Sequence, residues 1–90
     1  MRVIRWTTEA SDQLESAIEH ILEDHPTVAR KVATVVIDRV EQLANFPGLG
    51  RPGEVHGTLE LVIPPYVVVY RSTDELIEIL HLWHGAQDWR

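Results

Sequence analysis

The segment Tyr66-Val67-Val68-Val69-Tyr70-Arg71 is the strongest β-strand signal in this chain of 90 residues. Aromatic and β-branched residues favour strands. Residues 72–75 predict a hairpin turn after it, and residues 76–83 predict the next strand. Residues 57–63 predict a preceding strand, which Pro64 and Pro65 end because neither proline can donate to a β-ladder. These segments predict a three-stranded antiparallel meander in the C-terminal half.

The N-terminal half predicts one strand followed by two helices. Residues 2–6 suit a short strand, and the two threonines after them offer N-cap hydroxyl groups. Apolar residues recur every three or four positions over residues 10–22 and again over residues 28–44, and Asp24-His25-Pro26 interrupts the pattern. So short a connection predicts an antiparallel helical hairpin. Residues 45–56 are rich in glycine and proline and predict a loop.

The resulting order, βααβββ, predicts an α+β fold in which the helical hairpin packs on a small, mainly antiparallel sheet. A chain of this length fits a single domain spanning residues 1–90. Its 44% hydrophobic content is too high for a disordered chain, and the absence of cysteine excludes disulfides and thiolate metal sites. No apolar run approaches the ~20 residues that span a bilayer, and the N-terminus lacks a signal-peptide pattern. We therefore expect a cytoplasmic protein that does not enter a membrane.

The charge balance limits the possible partners. Eight basic and fourteen acidic residues give a net charge of −6. Proteins that bind nucleic acid alone are usually basic, because neutralising phosphates supplies much of their affinity. We therefore expect no direct DNA binding by this chain alone.

Both faces of the predicted central hairpin are apolar. Strict alternation puts Val67 and Val69 on one face and Val68 and Tyr70 on the other. In the next strand, the same alternation puts Ile77, Ile79, His81 and Trp83 on one face. It puts Leu76, Glu78, Leu80 and Leu82 on the other face. Two helices cover only one face, so we expect a partner chain over the other, with residues 45–56 and the C-terminal tail as the alternative cover.

Several segments together resemble the RelE/ParE superfamily of bacterial type II toxins. They are Phe46-Pro-Gly-Leu-Gly-Arg-Pro-Gly53, Gly57-Thr-Leu-Glu-Leu-Val62, Tyr66–Arg71 and the ending His84-Gly-Ala-Gln-Asp-Trp89, in the order βααβββ. The resemblance covers nearly the whole chain. It implies a small cytoplasmic toxin that is neutralised by a cognate antitoxin encoded beside it, which drapes an extended or helical segment over the toxin. Toxins similar to RelE cut messenger RNA on the ribosome, and toxins similar to ParE poison DNA gyrase.

One residue departs from the family pattern. Members usually carry an arginine where this chain has Leu59, and in the ribonuclease branch such arginines stabilise charge on the scissile phosphate. Leucine cannot do this, so position 59 indicates a detoxifying substitution, a lineage difference or a target other than RNA. The leucine at position 59 and the net negative charge of the chain together favour the ParE-like branch.

The candidate catalytic residues apply to the ribonuclease alternative. His84 is the candidate for acid–base catalysis, a role that histidine often has in enzymes, Arg71 offers positive charge, and Tyr70 offers a hydrogen-bond donor. The simpler interpretation is that His84 caps the last strand and Arg71 pairs with a surface acid. His81 and His84 lie three residues apart, so a strand points them to opposite faces and no metal site is expected. We expect no cofactor.

The candidate residues for binding a target or antitoxin lie in the loop, the sheet and the tail: Arg51, Leu59, Val68, Leu80, Leu82, Gln87 and Trp89. Trp89 either packs back on the core or contacts a partner, because tryptophan is enriched among interface hot spots. The acidic face of the first helix is either a solvated surface or a docking surface for a basic segment.

Three functions remain open from the sequence. The first is a non-catalytic gyrase poison, and the second is a ribosome-dependent messenger-RNA endonuclease that uses His84 and Arg71. The third is a toxin homologue that has lost toxicity and only binds an antitoxin.

Overall fold

The computed structural model describes residues 1–85. Gln87 and Trp89, two of the predicted binding residues, lie outside the described residues. The elements follow the predicted order, with one added strand: β1 (Val3–Trp6), α1 (Thr8–Leu22), α2 (Pro26–Glu41), β2 (Arg51–Pro52), β3 (Leu59–Ile63), β4 (Tyr66–Ser72) and β5 (Leu76–His84).

The strands form one sheet in the order β1-β5-β4-β3-β2. The meander β3-β4-β5 is antiparallel, and β1 pairs with β5 in parallel. The α+β fold with a mainly antiparallel sheet is therefore confirmed. The segment predicted as a continuous loop, residues 45–56, instead contains a short 3₁₀ turn at residues 47–49 and the two-residue strand β2. Another 3₁₀ turn, at residues 42–44, directly follows α2. This strand pairs Arg51 with Glu60 and Pro52 with Leu59 at the sheet edge.

The helical hairpin forms where the capping residues predict it. The Thr7 hydroxyl accepts a hydrogen bond from the backbone N–H of Ala10 at 3.1 Å, which caps the start of α1. Pro26 occupies the first turn of α2, where its missing N–H costs nothing. Both helices pack on one face of the sheet, and the core between them holds these fully buried residues: Ala10, Val36, Val40, Leu43, Val68, Tyr70, Ile77 and Ile79.

A β-bulge at Leu80 changes which residues of β5 face the core. Tyr70 pairs with Ile79 and Val69 pairs with His81, so Leu80 has no partner in β4. An extra residue reverses the alternation beyond it. Strict alternation predicted that Ile79 shares a face with Trp83, and this is wrong, because the bulge moves Leu82 to the helix side.

The face of the sheet opposite the helices is less exposed than the apolar pattern predicts. Val67 is 7% exposed and Val69 is 8% exposed. In the register, Val67 lies between Val62 and Trp83, and Val69 lies between Glu60 and His81. A second valine, a tryptophan, a glutamate and a histidine therefore flank the two valines within the chain. The expectation that these valines need a partner chain to cover them is wrong.

Candidate functional site

A groove of about 880 Å³ runs between α1 and the C-terminal half of β5. The helix contributes mostly polar residues, and the strand contributes mostly aromatic and apolar ones. Its lining is Glu9, Asp12, Gln13, Ser16, Ala17, His20, Tyr66, Leu82, Trp83 and His84.

The groove exists because β1 covers only half of β5. Trp6 pairs with Ile79, and β1 ends there. The next residue, Thr7, donates its backbone N–H to the Ile79 carbonyl at 3.0 Å and its hydroxyl to the Leu80 carbonyl at 3.3 Å. The chain then turns into α1 and leaves the edge of the sheet. Within residues 1–85, no strand pairs with the outer edge of β5 beyond Ile79.

One helix side chain bonds to the backbone of β5 in this region. The Gln13 side-chain carbonyl accepts a hydrogen bond from the backbone N–H of Leu82 at 2.8 Å. Nearby, the Glu9 carboxylate lies 3.3 Å from Nδ1 of His81, at an angle unsuited to a hydrogen bond. The His81 ring stacks on Trp83 with a centroid distance of 4.7 Å. The sequence pattern put Glu9 on the acidic face of the first helix but predicted no role for Gln13 and no contact between α1 and residues 81 and 82, because only the fold brings them together.

The helix side of the groove is strongly acidic. Glu9 and Asp12 line it, and Glu15 and Glu19 lie beside it in a shallow depression shared with Asp12. Residues 8–24 contain six acids and no lysine or arginine.

The opposite face of the sheet carries the exposed arginines. Arg5 and Arg71 lie on either side of Glu78 in a single cross-strand row. Arg51, predicted to bind a target, lies at the other edge, where its Nε is 3.1 Å from the Glu60 carboxylate. Because Glu60 is only 5% exposed, this pair compensates a buried charge and fastens β2 to β3.

The hydroxyl of Tyr70, a candidate hydrogen-bond donor for catalysis, is bonded inside the protein. It donates to the Pro47 carbonyl at 2.7 Å and accepts from the Gly50 N–H at 2.9 Å. Burial raises the pKa of Tyr70, and the hydrogen bond from Gly50 lowers it in part. A Cβ at position 50 would lie 2.6 Å from this hydroxyl, so only glycine allows the close approach. Through these hydrogen bonds, Tyr70 holds residues 47–50 against the sheet.

The other two candidate catalytic residues lie far apart. Arg71 pairs with Glu78, and His84 pairs with Tyr66. The six residues from Glu78 to His84 on β5 separate these positions by about 20 Å. They also point to opposite faces, since the His84 ring packs edge-on against Tyr66, on the helix side, at 5.6 Å. The structure therefore does not bring Tyr70, Arg71 and His84 into one site.

The predicted binding residues within the sheet fall into different environments. Val68 is fully buried and Leu82 is 4% exposed, so neither side chain projects from the surface of this chain. Both belong to the core beneath the helices. Leu80 is half-buried at the bulge, and Leu59 is half-buried against the core, opposite Tyr70.

Within residues 1–85, no helix is long and apolar enough to cross a membrane. The same residues contain no group of three or more histidine, aspartate or glutamate side chains that could hold a metal ion.

The sequence matches the family model described as the ParE toxin of the type II toxin–antitoxin system parDE, over residues 4–89. It is 38% identical to a candidate toxin, Y4kP from Sinorhizobium fredii, over 96% of this chain and 91% of that protein. It is 29% identical to Toxin RelE2 of Caulobacter vibrioides, over 97% of this chain and 99% of that one.

Solved structures with a similar fold include two toxin–antitoxin systems. A chain of the chromosomal ParDE system from P. aeruginosa superposes with a TM-score of 0.83 at 27% identity, covering 93% of this chain and 96% of that one. A chain of the RelBE2 toxin–antitoxin complex from Mycobacterium tuberculosis gives a TM-score of 0.65 at 25% identity, covering 92% of this chain and 96% of that one.

The fold and the sequence matches define a type II toxin of the RelE/ParE superfamily. Within that superfamily, this chain belongs to the ParE toxin family.

Proposed function

We propose that this chain arrests bacterial growth by acting on DNA gyrase without catalysis, and that an antitoxin encoded beside it keeps it inactive. Its relatives include proteins solved as a ParDE system and as a RelBE2 toxin–antitoxin complex, which supports an antitoxin partner. A gyrase target places its action in the cytoplasm.

The non-catalytic proposal rests on one observation: the candidate catalytic side chains lie at separate places in the structure. Cleavage of a phosphodiester needs an acid, a base and positive charge around one phosphorus atom. Here the Tyr70 hydroxyl is bonded to residues 47 and 50, and Arg71 and His84 are separated along the sheet and face opposite ways. Leu59 adds no charge. No pair among these groups is positioned to act on the same phosphate.

The sheet face opposite the helices is the surface proposed to contact the target. It presents the exposed side chains of Arg5 and Arg71, whereas α1 on the other side of the molecule contains acids and no lysine or arginine. A positively charged, exposed patch suits an acidic partner surface.

The alternative function is a RelE-like endonuclease that cleaves messenger RNA on the ribosome. The 29% identity to Toxin RelE2 and the exposed His84 favour keeping it as the second candidate. In that case His84 would serve as the acid or base and Arg71 as the cation, with other groups supplied by the ribosome.

Two readouts from the same induced cells separate these functions. Cells are induced for the wild-type chain and for His84→Ala, and plasmid DNA and transcripts are examined in parallel. The gyrase proposal predicts broken plasmid DNA and filamentation with intact transcripts, for both proteins. Transcripts cut within codons by the wild type but not by His84→Ala would establish the endonuclease instead. Normal growth with either protein would leave only the antitoxin-binding module.

A further inference from the structure

We propose that the outer surface of α2 is a self-association surface, on which α2 of a second copy of this chain packs in the antiparallel direction. This inference is independent of the proposed target and antitoxin. Three features of the helix carry it: an exposed apolar pair, charges of opposite sign in its two halves, and the lack of partners for two of those charges within residues 1–85.

The first feature is the pair Val28 and Val35. α2 directs Ala29, Val36 and Val40 into the core, where each is at most 1% exposed. Val28 and Val35 lie on another side of the helix and are 48% and 47% exposed. Because seven residues are nearly two helical turns, these two valines lie in one row along the helix. The row gives the outer surface a small apolar strip.

The second feature is the order of the charges along α2. Arg30 and Lys31 are exposed in its N-terminal half, and Asp38 and Glu41 are exposed in its C-terminal half. The helix dipole favours the opposite order, with acids near the N-terminus and bases near the C-terminus. Arg39, the basic residue of the last turn, is half-buried and lies outside this surface. The exposed charges of α2 are therefore not arranged to stabilise the isolated helix.

The third feature is that Lys31 and Asp38 have no ion-pair partner among the described residues. Neither of the ion pairs found within residues 1–85 involves α2. On a helix, side chains pair when they are three or four positions apart. These positions hold only threonine and valine around Lys31, and threonine, valine, glutamate and glutamine around Asp38. Both charges are therefore open to a second molecule.

An antiparallel second copy matches all three features. The midpoint between Lys31 and Asp38 falls between Thr34 and Val35. A two-fold axis at this point places Lys31 of each copy opposite Asp38 of the other and brings the two Val35 side chains together. Thr34 suits a position at the axis, because its hydroxyl already donates to the Arg30 carbonyl at 3.1 Å and its burial leaves no unsatisfied donor.

The charges also argue against other occupants. An acidic protein surface or a nucleic acid would fit the N-terminal half of α2 but would meet Asp38 and Glu41 in the other half. A basic surface would fit the acids but would meet Arg30 and Lys31. A matching partner carries both signs in the reverse order. A second copy of α2, turned end to end, is such a partner.

Sedimentation equilibrium of the full chain tests the association and its geometry. One pair of helices of this length contacts over less than the ~1,200 Å² of a standard interface, so we expect a weak dimer that forms as the concentration rises. Lys31→Asp or Asp38→Lys puts like charges opposite each other and is expected to weaken the dimer at least tenfold. The double variant Lys31→Asp/Asp38→Lys restores both pairs with reversed polarity and should return the affinity to within threefold of the wild type.

Two results of this experiment would overturn the inference. One is a wild-type chain that stays monomeric at every concentration, which would leave the surface to a different partner. The other is a double variant that is as weak as the single variants.

Glu15→Lys, an equal change of charge on α1, is the matched control for Asp38→Lys. It lies outside the proposed surface and is expected to change the affinity less than twofold. Circular dichroism verifies that each variant is folded. Equal effects of Glu15→Lys and Asp38→Lys would show that net charge controls the association, and would overturn the pairing of Lys31 with Asp38.

Chemical cross-linking tests which residues meet. Lys31 is the only lysine of the chain, so a carbodiimide joins a side-chain amine to a carboxylate at this one position. Within one chain, Lys31 and Asp38 are about 10 Å apart along the helix, which is too far for this bond. In a mixture of unlabelled and ¹⁵N-labelled chains, we expect peptides that join Lys31 of one label to Asp38 of the other. Cross-links of Lys31 that stay within one label, or that reach only carboxylates other than Asp38 and Glu41, would overturn the antiparallel arrangement.

Discussion

The hydroxyl of Tyr70 lies 2.7 Å from the Pro47 carbonyl, 23 residues earlier in the chain, and this contact joins the centre of the sheet to the loop that follows the helical hairpin. Gly50 completes the arrangement by donating its N–H to the same oxygen. A group that the sequence offers as a catalytic donor is thus a structural one.

Tyr70→Phe is expected to reduce the free energy of unfolding. It leaves the Pro47 carbonyl and the Gly50 N–H without their partner, which costs about 1–3 kcal/mol. For a domain of this size that lowers Tm by about 4–8 °C for each kcal/mol. Urea unfolding followed by far-UV circular dichroism measures the loss. Tyr66→Phe is the matched control, since no hydrogen bond of the Tyr66 hydroxyl is seen within residues 1–85, and an equal loss in both variants would contradict the role of Tyr70.

The two buried tyrosines predict a loss of stability in alkaline solution. Burial raises the pKa of both Tyr66 and Tyr70 above the ordinary value of 10.0. The unfolded chain therefore loses its tyrosine protons at a lower pH than the folded chain, so stability is unchanged below about pH 10 and falls as the pH rises above it. Absorbance at 295 nm should show both phenols titrating together with unfolding. Ionisation near the ordinary pKa with the fold intact would contradict this.

Removing Arg51 is expected to destabilise the protein more than removing an ordinary surface arginine. Arg51→Met leaves the Glu60 carboxylate buried without its partner, which costs about 1–3 kcal/mol. The cost stays below that of a fully buried pair because the Arg51 side chain is 58% exposed. Arg30→Met on the exposed surface of α2 should cost less than about 0.5 kcal/mol. Adding Glu60→Gln to Arg51→Met should recover part of the loss, and a strictly additive double variant would contradict the pairing.

Restoring the family's arginine at position 59 is expected to weaken the fold without creating a nuclease. Leu59 packs half-buried against the core beside Tyr70, so Leu59→Arg should cost about 1–2 kcal/mol, and Leu59→Met should cost less. The new arginine would remain far from His84, at the opposite end of β4. Transcript mapping after induction should therefore show no new cleavage. Toxicity that appears only with Leu59→Arg would mean that the present chain is a disabled form.

Local sequence patterns predicted most of the fold. Some signals act only on the helix or strand next to them in the sequence. Examples are the capping threonine at position 7, the proline at position 26 and the valine-rich segment 66–71. The bulge at Leu80 was not predictable, because an unpaired residue in a strand depends on how two strands align and not on residue type. Its effect on the site was large, because it puts Leu82 on the helix side of the sheet and His81 on the other side, the opposite of what strict alternation predicts.

The second apolar face shows why the candidate site was only partly predictable. Val67 and Val69 have the alternation of an exposed apolar strand, yet neighbours from β3 and β5 bury them. The acidic face of α1 was visible in the sequence as a possible docking surface. The groove beside this face depends on where β1 ends, at Trp6, which the sequence pattern did not show. The sequence therefore indicated the charge of the groove but not the groove.

The most direct test of the account is the viable count of bacteria after induction of this chain, alone and together with the small protein encoded beside it. The account predicts that the count falls when the chain is induced alone and stays at the uninduced level when both proteins are induced. A count that is unchanged in both cultures would contradict the toxin function, and a fall that the second protein does not prevent would contradict its role as antitoxin.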